Sequence, residues 1–297
     1  MVGKMVGGAD VAQQPASDPV YALGRSDAET RRLARQQRLL GRQTRFILEQ
    51  AGIGAGMRVL DVGSGAGDSA FLAAELVGPT GQVVGVDLNP AVVEVARRRA
   101  ADAGLAQVSF VVGDIREIDP GRDFDAAIGR MVLVYQADPV ATLRAALRAV
   151  RDDGLAVFYE ADMGSPVASL PEVPLHQFLG RCINETFARA GLETAMGTKL
   201  HRVFCDAGLA APEVVTDAMI GGGRAFVEEF AWWGANTLRS LLPLIVKHGV
   251  ATEGEVDVET FERRYCAGAL GRNSLARGHR CGGAWARRPP AGASGRA

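Results

Sequence analysis

Lysine is almost missing from this sequence of 297 residues: it occurs only at positions 4, 199 and 247, although Lys and Arg together number 33. No Tyr-x-x-x-Lys pair exists, which removes one common device of nicotinamide chemistry. Cysteine is sparse. Cys182, Cys205, Cys266 and Cys281 form no C-x-x-C pair and have no His at ligand spacing, so no zinc site and no other metal is expected. Long apolar runs are lacking too. The longest candidate, Leu241 to Val246, is six residues, against the roughly 18 needed for a membrane span. The first 19 residues contain no apolar signal core and carry Asp10 and Asp18, so they read as a disordered leader. Few cysteines and no export signal point to a reducing, cytoplasmic setting.

Also absent are an Asn/Asp-Pro-Pro-aromatic tetrad for base amines and a Pro-Cys pair for attack on a pyrimidine carbon. Charge agrees. The formal net charge is −1, but residues 262–297 hold eight Arg and one acid, a net +7, leaving −8 on residues 1–261. An acidic body argues against nucleic acid as partner. The basic end is rich in Gly and Pro and reads as a solvated tail. A small molecule is the expected partner, with no membrane contact and with room for a homodimer.

What is present is a globular composition, 47% apolar and 23% charged, with a clear order of elements. Ser26-Asp27-Ala28-Glu29 is a capping box. Helical spacing then runs to Ala51, with Gly41 expected to divide it into two helices. Short apolar runs at 57–63, 82–88, 108–114, 124–135 and 155–162 predict strands; 69–77, 91–103 and 139–150 predict helices between them. This alternation implies an α/β fold with a parallel sheet covered on both faces. The regularity then breaks. Helices are expected near 175–190, 199–208 and 224–247, and strands at 212–220 and 281–289; 266–280 has no clear period. The resulting division is a leader (1–19), N-terminal cap helices (20–50), a ligand-binding core (51–162), a cap insertion (163–198), a core helix and strand (199–217), a second cap insertion (218–265), and a basic tail with a possible last strand (266–297).

The informative segment is VLDVGSGAGD, residues 59–68. Gly63, Gly65 and Gly67 follow a buried strand and precede a helix, so backbone amides can approach a ligand closely. Position 68, where a dinucleotide fingerprint has its third Gly, is Asp. An acid there repels a pyrophosphate and suits a cationic or zwitterionic ligand. Asp61 precedes the loop. Asp87 ends the second strand, where an acid can accept from both ribose hydroxyls or form an Asx turn. Asp114 ends the third strand, placed to accept from an adenine amino group or to cap a helix, with Ile115 beside it.

These residues resemble the class I S-adenosylmethionine-dependent methyltransferase family. Asp61 to Gly67 matches its first motif, Asp87 its ribose acid and Asp114 its adenine-side acid. Ile128 to Tyr135 with Asp138-Pro139 looks like the fourth-strand region of its small-molecule members, and the resemblance covers roughly 40–217. It implies a doubly wound, mainly parallel seven-stranded sheet, the Rossmann-like methyltransferase fold, with helical cap insertions. It further implies S-adenosyl-L-methionine as cofactor. Gly63, Ser64, Gly65 and Gly67 would support the amino-acid portion, and Asp61 would fix the loop or bond the ammonium. Asp87 would hold the ribose, Asp114 and Ile115 the adenine, and Leu88 would also belong to the cofactor site. Arg130 would sit near the methionine carboxylate or form a surface ion pair.

The expected reaction is methyl transfer to a small organic acceptor, with oxygen favoured over carbon or nitrogen. A hydroxyl acceptor must lose its proton. Glu160, His176 and Tyr135 are the candidate groups, by their placement near the ligand edge of the sheet or on the cap. Trp232 and Trp233 are candidate walls of an acceptor site between 20–45, 163–190 and 224–247. Two alternatives stand beside this reading: a cofactor-binding protein without transfer activity or a partner subunit, and a nicotinamide-dependent oxidoreductase.

Overall fold

The computed structural model describes residues 27–290. The expected leader and the Ser26 capping box lie outside the described residues. The chain runs α1 (Asp27–Gln50), β1 (Arg58–Val62), α2 (Asp68–Val77), β2 (Gln82–Asp87), α3 (Pro90–Asp102), β3 (Val108–Val112) and β4 (Phe124–Arg130). A short 3-10 turn (Leu133–Tyr135) leads to α4 (Pro139–Ala149), β5 (Val150–Asp162), β6 (Ala168–Leu170), α5 (Pro174–Arg189) and α6 (Met196–Asp206). β7 (Glu213–Gly221), α7 (Arg224–Lys247), α8 (Glu253–Val256), α9 (Val258–Gly271) and β8 (Leu275–Arg287) complete it.

The period-2 patterning of the first strands decides the architecture. Leu60, Val62, Val84, Ala127, Ala156 and Phe158 fall into one core, shared with α4, α5, α6, α7 and α9. Val59, Val83, Ala126, Ile128, Val157 and Tyr159 fall into the other, shared with α1, α2 and α3. The sheet is therefore covered on both faces. Its order is β3-β2-β1-β4-β5-β8-β6, with β7 also paired to β8. Pairings from β3 to β5 are parallel, and all those of β8 are antiparallel.

Among the described residues the sheet has eight strands, one more than the seven expected. The additional strand is β6, three residues that extend the β5 side of β8. β8 also starts earlier than 281. The unplaced stretch 266–280 is the end of α9 and the first half of this strand. Its alternation is carried by the buried Ala276 and Gly278 between Arg277 and His279, and residues this small give no apolar signal. Gly41 does not divide α1. The helix buries Leu39, Leu40, Ile47 and Leu48, and this burial outweighs the cost of about 1 kcal/mol for one helical Gly.

β8 is seated by α6, whose Gly197 lies directly on Gly282. A methyl on Gly197 would stand 2.6 Å from the Gly282 nitrogen, and one on Gly282 would overlap the Gly197 backbone. Backbone cannot yield as a flexible side chain does. G282A is expected to lower unfolding stability by about 1–3 kcal/mol. Chemical denaturation checks this; a wild-type midpoint would show that α6 and β8 are not held this close.

Candidate functional site

Three strand ends, those of β1, β2 and β3, open on one side of the sheet, where parallel sheets bind ligands. The turn after β1 uses Gly65 at φ +53° and Gly67 at φ +92°, a region that only Gly enters without strain. A Cβ on Gly65 would meet nothing within 4 Å, whereas one on Gly67 would strike Phe71 and Phe110 at 2.7 and 2.9 Å. Gly65 thus faces open space and Gly67 lets the turn settle on the aromatic pair. Asp87 holds the turn in place: one carboxylate oxygen accepts the Gly65 amide at 2.9 Å. The other accepts the Asn89 amide at 2.9 Å, so the Asx turn is formed as well.

Asp61 lies behind this turn, fully buried. Neither of its oxygens has a hydrogen bond; the Ala70 amide faces it without closing one. Burial pushes its carboxyl up to about 7 against the pull of Arg130, and the charges of Asp87 and Asp68 push the same way. Arg130 sits between this acid group and α1. It donates to Gln37 Oε1 at 2.7 Å and Thr44 Oγ1 at 3.2 Å and lies 3.8 Å from Asp68. Asp68 also pairs with Arg99 at 2.8 Å. Asp114 accepts the Arg116 amide and its guanidinium, which hold its carboxyl below the usual range.

A cavity of about 290 Å³ opens beside these groups; the expected site residues Asp61 and Gly67 are not on its wall. Its lower half is lined by Gly63, Ser64, Gly65, Asp68, Asp87, Leu88, Asp114, Ile115 and Arg130. Ser64 is buried there with its hydroxyl unpartnered. The upper half lies under the cap. Gln36 and Leu40 come from α1, Ile183 and Phe187 from α5, Trp233 and Thr237 from α7, with Met163, Met219 and Tyr135 between them. The expected cap segments therefore do meet over the sheet edge. α1 and α7 are fastened to each other by Arg35–Glu229 at 2.7 Å and by Trp233 Nε1 donating to Gln36 Oε1 at 3.0 Å. Trp232 is turned elsewhere, stacked under Arg35 at 4.0 Å.

Two expected catalytic groups are not on the cavity wall. Glu160 is fully buried behind the bend that follows β4. Its carboxylate accepts the amides of Val132 and Leu133, each at 2.9 Å, and of Val134 at 3.2 Å. Burial pushes its carboxyl up to about 7, opposed by those three amides. The side chain holds the Met131–Tyr135 bend and has no route to an acceptor. His176 is buried in an aromatic cluster with Phe230 and Tyr265. Nε2 lies 2.9 Å from the Arg277 carbonyl and so carries its proton; Nδ1 then accepts from Tyr265 at 2.9 Å. Burial lowers its pKa. Of the three candidates only Tyr135 lines the cavity, tilted against Phe187.

The imidazole that does line the cavity is His279 on β8, which sequence reasoning missed because it lies in the stretch without visible period. Its Nδ1 and Nε2 face the carbonyls of Ser165 at 3.4 Å and Gly180 at 3.2 Å. A neutral ring has one N–H for these two oxygens, so one nitrogen keeps its lone pair. Burial lowers the His279 pKa, with Arg277 adding to this and the carbonyls and Asp162 opposing it. Arg32 and Thr237 were missed as well; neither belongs to a motif.

The family model for a methyltransferase domain matches residues 53–206, just over half of the chain. An uncharacterized 37.1 kDa protein in transposon TN4556 of Streptomyces fradiae is 35% identical over 162 residues, which is 54% of this chain and 45% of that protein. The ubiquinone/menaquinone biosynthesis C-methyltransferase UbiE of Pseudomonas putida is 36% identical over 118 residues, 39% of this chain and 46% of UbiE. The chain spans about half the length of these curated relatives. Geranyl diphosphate C-methyltransferase from Streptomyces coelicolor, solved with S-adenosyl-L-homocysteine, shares the fold, with a TM-score of 0.51, 19% identity and coverage of 90% of this chain and 87% of that one. The oxidoreductase alternative is thereby set aside: this chain belongs to the class I S-adenosylmethionine-dependent methyltransferase family, and S-adenosyl-L-methionine is its cofactor.

Proposed function

We propose that this protein moves a methyl group from S-adenosyl-L-methionine to an oxygen of a small organic acceptor held under the cap. The observation that carries the reading is the single cavity joining the Gly63–Gly65 turn, Asp87 and Asp114 to a chamber walled by α1, α5 and α7. The bound cofactor supplies a methyl group made electrophilic by its sulfonium. The residues fit it: the open space over Gly65 suits its amino-acid portion. Asp87 is suited to the ribose, and Asp114 with Ile115 to the adenine. Asp61, buried without hydrogen bonds, favours a nearby positive charge. Arg130, held by α1, is suited to the carboxylate.

An oxygen acceptor requires a proton acceptor, and His279 supports that choice. Its pKa is lowered, so it is neutral at pH 7, and its lone-pair nitrogen can take the proton once it turns from the carbonyl it faces. A second reading, methylation at carbon, is favoured by the similarity to UbiE, a C-methyltransferase. The free cysteines support the cytoplasm as location. Among the described residues no helix is long and apolar enough to cross a membrane.

D87A should weaken S-adenosyl-L-methionine binding by about 1–3 kcal/mol, measured by isothermal titration calorimetry. Unchanged affinity removes Asp87 from the cofactor site. A panel of hydroxylated acceptors should yield a methyl ether whose rate of formation falls as pH drops through the His279 pKa, below the ordinary value near 6.5. H279Q should lose that acidic limb and slow the reaction by about 10²–10⁴-fold. A product methylated at carbon would favour the second reading.

A further inference from the structure

Trp233 and Thr237 lie four residues apart on α7, on one helix face, and both line the upper half of the cavity, as do Arg32 and Gln36 of α1. Thr237 is 3% exposed, and its hydroxyl has no hydrogen-bond partner. A threonine inside a helix commonly returns its hydroxyl to the carbonyl four residues back, here that of Trp233, and this one does not. A buried hydroxyl without a partner is unfavourable unless something supplies one. The oxygen is turned from the cavity, and because the residue lines it, a χ1 rotation of about 120° can bring the oxygen to a ligand.

The surroundings limit what that ligand offers. Gln36 Oε1 is already occupied by Trp233 Nε1 at 3.0 Å and by the buried Arg32 guanidinium at 2.5 Å. This side-chain acceptor is therefore already used and leaves the Thr237 hydroxyl proton without one, while Phe187 and Met219 keep the rest of the wall apolar. We propose that Thr237 is a specificity-determining residue for the methyl acceptor, and that the acceptor is an apolar molecule carrying a hydrogen-bond-accepting oxygen, such as a keto or carboxylate group, which Thr237 binds. The inference rests on the proposed function, in which the upper chamber is the acceptor site. No covalent step is assigned to Thr237.

The test uses a matched pair of probes, acetophenone and α-methylstyrene, in which a carbonyl oxygen is replaced by a methylene of similar shape. Their binding to the full-length chain is measured by equilibrium dialysis. T237V, which replaces the hydroxyl by a methyl, should lower the ratio of acetophenone to α-methylstyrene affinity by about five- to tenfold. T237S, which keeps the hydroxyl, should preserve the wild-type ratio and serves if T237V does not fold. A ratio unchanged in T237V, one that T237S also loses, or failure of the wild type to bind either probe overturns the proposal. Calorimetry with S-adenosyl-L-methionine on the same samples separates the two readings. Cofactor binding without probe discrimination removes only the role of Thr237; absence of cofactor binding removes the proposed function.

Discussion

A carboxylate at a strand end, accepting backbone amides from a neighbouring turn, holds the cavity open. Asp87 does this for the turn after β1 by binding the Gly65 amide. Glu160 does it for the bend after β4, binding three successive amides from Val132 to Val134. Amides that would otherwise be left without partners at the sheet edge are satisfied in this way. Both turns border the cavity, so ligand-facing backbone is positioned by side chains rooted in the sheet. Such roots are stiffer than loops, which suits a reaction that depends on holding two molecules in line.

The electrostatics of the lower half follow from the same strand ends. Asp68 and Asp87 act on Asp61, and Arg130 acts against them. Arg130 is in turn held by two side chains of α1. The cap helix is thus tied to the charge balance of the site as well as to its walls. Asp61 is the one of these acids buried without a hydrogen bond, and a buried carboxyl in that state gains from a cation nearby. That preference separates this turn from a pyrophosphate-binding loop, as Asp68 at the third fingerprint position already suggested.

The legible parts of the sequence are those in which a local pattern has one physical meaning. Alternating short apolar runs and helices gave the layered sheet, and Gly63 to Gly67 between a strand and a helix gave the turn at its edge. Asp87 and Asp114 were readable as strand-end residues beside the cavity, and both form the local turns that were the plain alternative. Glu160 and His176 were misread for a shared reason. A polar residue near the ligand edge is equally a candidate for catalysis and for satisfying buried backbone or a buried ring. Only the direction of its side chain distinguishes the two. β8 was half legible, since Ala276 and Gly278 alternate without apolar bulk.

The sequence by itself determined the layered α/β architecture, the glycine-rich turn after β1 and the family, because these depend on spacing along the chain. Tertiary structure decided which side chains share a cavity. His279 from β8, Thr237 from α7 and Arg32 from α1 are far apart in sequence and carry no common motif. They line one space because β8 is inserted antiparallel beside β5 and because α1 and α7 are clasped over the sheet edge. Such contacts are set by the packing of whole elements, which no local pattern encodes.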